Sequence, residues 1–166
     1  MTAKPGQEAL GLRFDRLPPM ACLALALALG ALWLLGRRYG GFTHDASIYA
    51  LQGLRVLSPE SFAKDLFFLH GSQDAYTVFP RLYALLIAVF GAGTAAMVVT
   101  IAGQLGFVAA AAALVARLPA GQVRWWSLAL LATVSGYYGG VGVFRFAEPF
   151  ATARTLAEPQ IGRAHV

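Results

Sequence analysis

The sequence predicts an all-α, polytopic membrane protein with about four transmembrane helices, and three observations carry that prediction. Hydrophobic residues make up 58% of the chain and charged residues only 13%, where a soluble protein carries roughly a quarter charged. Residues 17–36, 82–116 and 125–144 contain no Asp, Glu, Lys or Arg. Each run reaches the ~20 residues that a helix needs to cross ~30 Å of hydrocarbon with every backbone bond satisfied internally.

The first run, "LPPMACLALALALGALWLLG", predicts one span over residues 18–36, preceded by a cytoplasmic segment over 1–17. Pro18 and Pro19 suit a first helical turn, and Trp33 and Gly36 mark the far boundary. A cleaved secretory signal is the competing reading, because Lys4, Arg13 and Arg16 precede a short apolar core. The acids Glu8 and Asp15 in the leader, and Arg37 and Arg38 directly after the core, favour an uncleaved anchor.

The middle run of 35 uncharged residues is too long for one span and too short for two. Extending it back to Tyr76 gives a short span over 76–91, with Arg81 snorkelling near its end, and a second over 94–117. "GAG" at 91–93 is the expected turn between them. A fourth span is expected over 125–143, opened by Trp125 and Trp126 as interface anchors, and followed by a polar segment over 144–160. The alanines at 109–113 and the Gly136/Gly140 spacing are expected to form close-packing helix faces. Cys22, the single cysteine, lies inside the first span and can form no internal disulfide.

Between the first two spans lies an expected extracytoplasmic loop, 37–75, with four cations (Arg37, Arg38, Arg55, Lys64) and four acids (Asp45, Glu60, Asp65, Asp74). "DASIYALQGLRVL" sets Ile48, Leu51 and Leu54, with Tyr49 and Leu57 less regularly, on a helical stripe. "SPESFAKDLFFL" sets Phe62, Leu66 and Leu69 on another, with Ser58 or Ser61 as cap and Pro59 in the first turn. Two amphipathic helices lying on the membrane surface are expected, so the lipid bilayer is the first partner. The net charge of +5 is spread along the chain without a basic stripe, which excludes a nucleic-acid partner.

Five residues in this frame are candidates for chemistry. Asp45 stands where a helix is about to begin, and reads either as an N-cap for a helix starting at Ala46 or as a base held at the membrane surface, with His44 beside it. Asp74 in "HGSQDAYT" reads as a cap, a polar anchor or a ligand contact. Glu148 and Arg154 in "FRFAEPFATARTLAE" read as a surface salt bridge or as ligand-recognising groups at a membrane-edge cavity. His44 and His70 lack a third ligand at metal spacing, so no metal site and no cofactor are expected.

A first span, then a loop that opens on an acid and holds surface helices, then short hairpin spans, resembles the amino-terminal part of the GT-C superfamily of membrane glycosyltransferases. "HDASIYALQGLR", "DLFFLHGSQDAYTVF" and "AEPFATARTLAE" are similar to stretches of bacterial polytopic proteins with that layout. The resemblance implies a multi-pass protein of the bacterial inner membrane that moves a sugar from a polyprenyl-phosphate donor. It implies a catalytic role for Asp45 as base or acceptor-positioning acid, with His44, Asp74, Glu148 and Arg154 as lesser substrate-binding candidates. The better-known pattern often has two adjacent acids where this chain has His44 and Asp45. A transporter or permease segment and a non-catalytic membrane scaffold are the alternatives. "IGRAHV", residues 161–166, resembles the translation of a sequencing adapter, so the chain is expected to be a fragment whose informative sequence ends near Gln160.

Overall fold

The structure, a computed structural model, describes residues 18–118, 121–133, 136–138 and 144–164. The expectations for residues 1–17, for Gly140 and the end of the fourth span, and for the last two residues lie outside these. The described residues form helices α1 (Pro19–Gly36), α2 (Asp45–Leu57), α3 (Leu66–His70), α4 (Phe79–Phe90), α5 (Ala92–Val115), α6 (Gln122–Thr133) and α7 (Ala153–Ala164). Among the described residues one two-residue antiparallel pairing, β1 (Tyr137–Tyr138) with β2 (Phe144–Arg145), stands beside the helices.

Among the described residues, two helices are long and apolar enough to cross a membrane, α1 and α5. At ~1.5 Å per residue they span about 27 and 36 Å. Leu23, Leu27, Leu34 and Leu35 of α1 are more than half exposed, and Trp33 is the one buried residue of that helix. On α5, Ile101, Leu105 and Leu114 face outward while Ala95, Ala96, Val99 and Gly103 are buried. This is the reverse of a core helix in water, whose large apolar side chains turn inward.

The other two expected spans are shorter than the sequence suggested. Helix α4 begins at Phe79, where Thr77 Oγ1 accepts from the Phe79 N–H at 3.2 Å and Pro80 occupies the first turn. Its 12 residues reach only about 18 Å. Gly91 alone makes the turn into α5, at φ +75°, a conformation that glycine adopts without penalty. Helix α6 covers Gln122–Thr133, and Tyr137 and Tyr138, inside the expected span, are extended. Gly136, Tyr137 and Tyr138 account for this: glycine is the poorest helix former after proline, and tyrosine favours strands. Gly136 lets Phe146 lie against it, since an added Cβ would stand 2.7 Å from that ring.

Helix α2 packs on α4 through small residues rather than the leucine stripe. Ala46, Ala50 and Gly53 are buried, whereas Ile48, Leu51 and Leu57 stay exposed. A Cβ at Gly53 would meet the Ile87 side chain at 2.9 Å. The second amphipathic helix is broken into a 3-10 turn at Pro59–Phe62 and the short α3. Asp65, not a serine, provides the cap, accepting from the Phe67 N–H at 2.9 Å. The core joins α2, α4 and α5 around Phe79, Tyr83, Ile87 and Val99, with Ala151 from the segment before α7.

Residues 144–160 are not merely a polar tail, because α7 begins there and packs closely along α5. Thr152 and Thr155 cap it reciprocally, each side-chain oxygen accepting from the other residue's N–H at 3.2 Å. Pro159 has no N–H for the Thr155 carbonyl, and that carbonyl lies against Gly103. A Cβ on Gly103 would stand 2.5 Å from it, and one on Gly106 would stand 3.0 Å from the Pro159 ring. The close-packing face of α5 is therefore its glycines; Ala109, Ala112 and Ala113 are exposed.

Candidate functional site

The first turn of α2 and the first turn of α7 meet, and their side chains build one polar cluster. Asp45 opens α2 but does not cap it: the N-cap is His44, and no side-chain cap bond forms. The Asp45 carboxylate turns instead to Arg154, whose Nη2 donates to Asp45 Oδ2 at 3.0 Å. The same Nη2 donates to Glu148 Oε1 at 2.8 Å, and Nε donates to that oxygen at 3.2 Å. Glu148 is 1% exposed, and its second oxygen accepts from the Thr152 hydroxyl at 2.6 Å. The salt bridge read as a surface feature in the sequence is thus buried on its acidic side.

Burial alone would lower the Arg154 pKa, but the hydrogen bonds to Glu148 and Asp45 more than reverse that and raise it. The guanidinium is therefore a fixed cation that holds one buried and one half-exposed carboxylate. Burial raises the pKa of the Tyr49 phenol; Arg154 opposes that, and the carboxylates of Asp45 and Glu148 reinforce it. The phenol accordingly keeps its proton at neutral pH.

The backbone is strained beside both acids. Among the described residues, the non-glycine positions with positive φ are His44 at +48° and Ala147 at +49°, each directly before one of the carboxylates that hold Arg154. Such conformations cost ~1–3 kcal/mol and gather where a structure must aim a side chain. His44 is further held by stacking on Phe150, with ring centroids 5.8 Å apart. The Ala147 N–H donates to Glu158 Oε2 at 2.8 Å.

Asp45 and Arg154 line a cavity of about 470 Å³ together with Ile48, Tyr49 and Gln52 of α2. Phe67, Gln73, Tyr76 and Thr77 close it from the loop side. Positions 45, 48, 49 and 52 follow the i, i+3, i+4, i+7 rule, so one face of α2 forms the wall. The volume falls in the ~300–1,000 Å³ range of small-molecule sites.

Of the five candidates, the structure therefore brings Asp45, Glu148 and Arg154 together. Asp74 belongs elsewhere. Its Oδ2 accepts from Arg55 Nη1 at 2.8 Å and its Oδ1 from the Ser72 hydroxyl at 2.7 Å, which anchors the loop to α2. His44 makes its ring contact with Phe150 and is absent from the cavity wall. Among the described residues no group of three or more His, Cys, Asp and Glu side chains gathers as a metal site. Tyr49, Gln52 and Thr152 carry site roles that the sequence did not assign; the one available signal was the seven-residue spacing from Asp45 to Gln52. No family model matches the chain, and no curated protein and no solved structure matches it.

Proposed function

We propose that the chain is part of a multi-pass protein of the bacterial inner membrane, a GT-C-like glycosyltransferase in which Asp45 serves the transfer of a sugar from a polyprenyl-phosphate donor. The observation that supports it is the setting of Asp45. It is the first acid after an apolar helix long enough to span a bilayer, it lines a ligand-sized cavity, and Arg154 fixes its orientation. One oxygen is engaged by Arg154 while the side chain remains 45% exposed, so the carboxylate is both held and open to a ligand.

In this reading an acceptor hydroxyl lies beside Asp45, which takes its proton as the hydroxyl oxygen bonds to the sugar's anomeric carbon. The bond from that carbon to the phosphate oxygen breaks, and the polyprenyl phosphate leaves with the electron pair. Glu148, buried and bonded to Arg154 and Thr152, keeps the guanidinium in place and has no part in the proton transfer. Helices α4 and α6, of 12 residues each, are the candidates for the two remaining spans of the proposed four.

The test is transfer of a labelled sugar from its polyprenyl-phosphate carrier in proteoliposomes. Asp45→Asn is expected to lower the rate by a factor of ~100 or more, the usual scale for loss of a general base. Transfer at the wild-type rate by that variant removes the proposal.

A further inference from the structure

Gln52 is a side chain that the fold itself does not account for. It is 4% exposed, and its Oε1 is buried without a hydrogen-bond partner among the described residues. A buried amide oxygen left unpaired costs ~1–3 kcal/mol, so folding alone would favour leucine there. Yet Gln52 sits in the wall of the 470 Å³ cavity, two helical turns from Asp45 on the same face. The terminal torsion of glutamine is broad, which lets the amide turn toward a ligand and offer an acceptor and two donors.

Charge decides what kind of ligand this amide meets. Arg154 is shared by the carboxylates of Asp45 and Glu148, two acids to one base, so an anionic group entering the cavity would face an uncompensated carboxylate. A neutral ligand rich in hydroxyls suits the wall better. Its O–H groups donate to Asp45 and Gln52, its oxygens accept from the Gln52 amide, and its C–H faces lie on the rings of Tyr49, Tyr76 and Phe67. We infer that Gln52 is a specificity-determining residue that binds a pair of hydroxyls on a neutral polyhydroxylated ligand in the Asp45 cavity. The inference rests on the reading of this cavity as the substrate site and names the uncharged acceptor sugar as its occupant.

The experiment uses the full chain in lipid nanodiscs, with glucose as probe and inorganic phosphate as the anionic comparison, read by ligand-observed saturation-transfer NMR and by thermal melting. Wild type is expected to give a glucose signal and no phosphate effect. Gln52→Leu is expected to weaken glucose binding by about tenfold or more while melting at the same temperature as wild type or higher. A glucose signal unchanged by Gln52→Leu overturns the inference, as does phosphate binding without glucose binding. A lower melting temperature for Gln52→Leu also overturns it, because the amide would then be serving the fold. The outcomes separate from the transfer assay. Loss of transfer in Asp45→Asn with unchanged glucose binding in Gln52→Leu leaves the enzyme reading and removes only the role of Gln52, and Gln52-dependent binding without any transfer does the reverse.

Discussion

Arg154 Nη2 donates to Asp45 Oδ2 at 3.0 Å across 109 residues of sequence, and the same nitrogen reaches Glu148 at 2.8 Å. One guanidinium thereby ties the start of α2 to the approach and first turn of α7. The two acids differ in what they lose without it, because Glu148 is buried and Asp45 is half exposed.

That difference predicts an order of stabilities. Arg154→Ala strands a buried carboxylate beside a half-exposed one, and leaving a buried polar group without its partner costs ~1–3 kcal/mol, more for a charged one. Asp45→Ala removes a half-exposed partner, at no more than ~1 kcal/mol. Thermal melting of the two variants in the same micelle should therefore place Arg154→Ala well below Asp45→Ala. Equal melting temperatures would mean that the cluster does not hold the two helices together.

The approach of α7 to α5 predicts a steric sensitivity at a single glycine. Gly103→Ala sets a methyl against the Thr155 carbonyl, one residue from Arg154, and overpacking of this kind costs ~1–3 kcal/mol. Gly93→Ala, with nothing within 4 Å of the added methyl, is the control and should melt like wild type or slightly higher, alanine being the better helix former. A Gly103→Ala variant as stable as Gly93→Ala contradicts the α5–α7 packing.

Glu158 predicts a pH dependence. Burial raises its pKa above the ordinary 4.5, with the nearby Glu148 adding to the rise, while the Ala147 N–H and Arg154 oppose it. The folded chain then holds this proton more tightly than the unfolded chain, so ionisation costs stability. The cost is absent below about pH 4.5, grows as pH climbs toward the folded value, and is complete above it. Glu158→Gln, which keeps an acceptor for Ala147, should melt higher than wild type at pH 7 and lose that advantage near pH 4. The opposite trend would show that the ionised carboxylate stabilises the fold.

The parts legible in the sequence are those set by local pattern. The apolar runs located α1 and α5 to within about two residues, and the amphipathic period located α2. Asp45, Glu148 and Arg154 stood out as charges at the edges of apolar segments. Their meeting did not, because it depends on Gly103 and Gly106 admitting α7 beside α5, a contact between segments about 50 residues apart. Asp45 also read as a cap by position, while the structure spends its carboxylate on Arg154. The absence of charge over 125–144 hid the strand-forming Tyr137 and Tyr138, which are extended inside the expected fourth span. Gln52 drew no attention in the sequence, because the period of α2 was set by Ile48, Leu51 and Leu54 and not by its buried small residues.

The kinetics of Asp45 variants test its catalytic role most directly. In proteoliposomes carrying a polyprenyl-phosphate-linked sugar, Asp45→Asn should cut kcat by ~100-fold or more while KM for the donor stays near wild type, since the carboxylate acts on the acceptor proton. Asp45→Asn turning over at the wild-type kcat would contradict a catalytic Asp45 and leave the carboxylate as a tether for Arg154 alone.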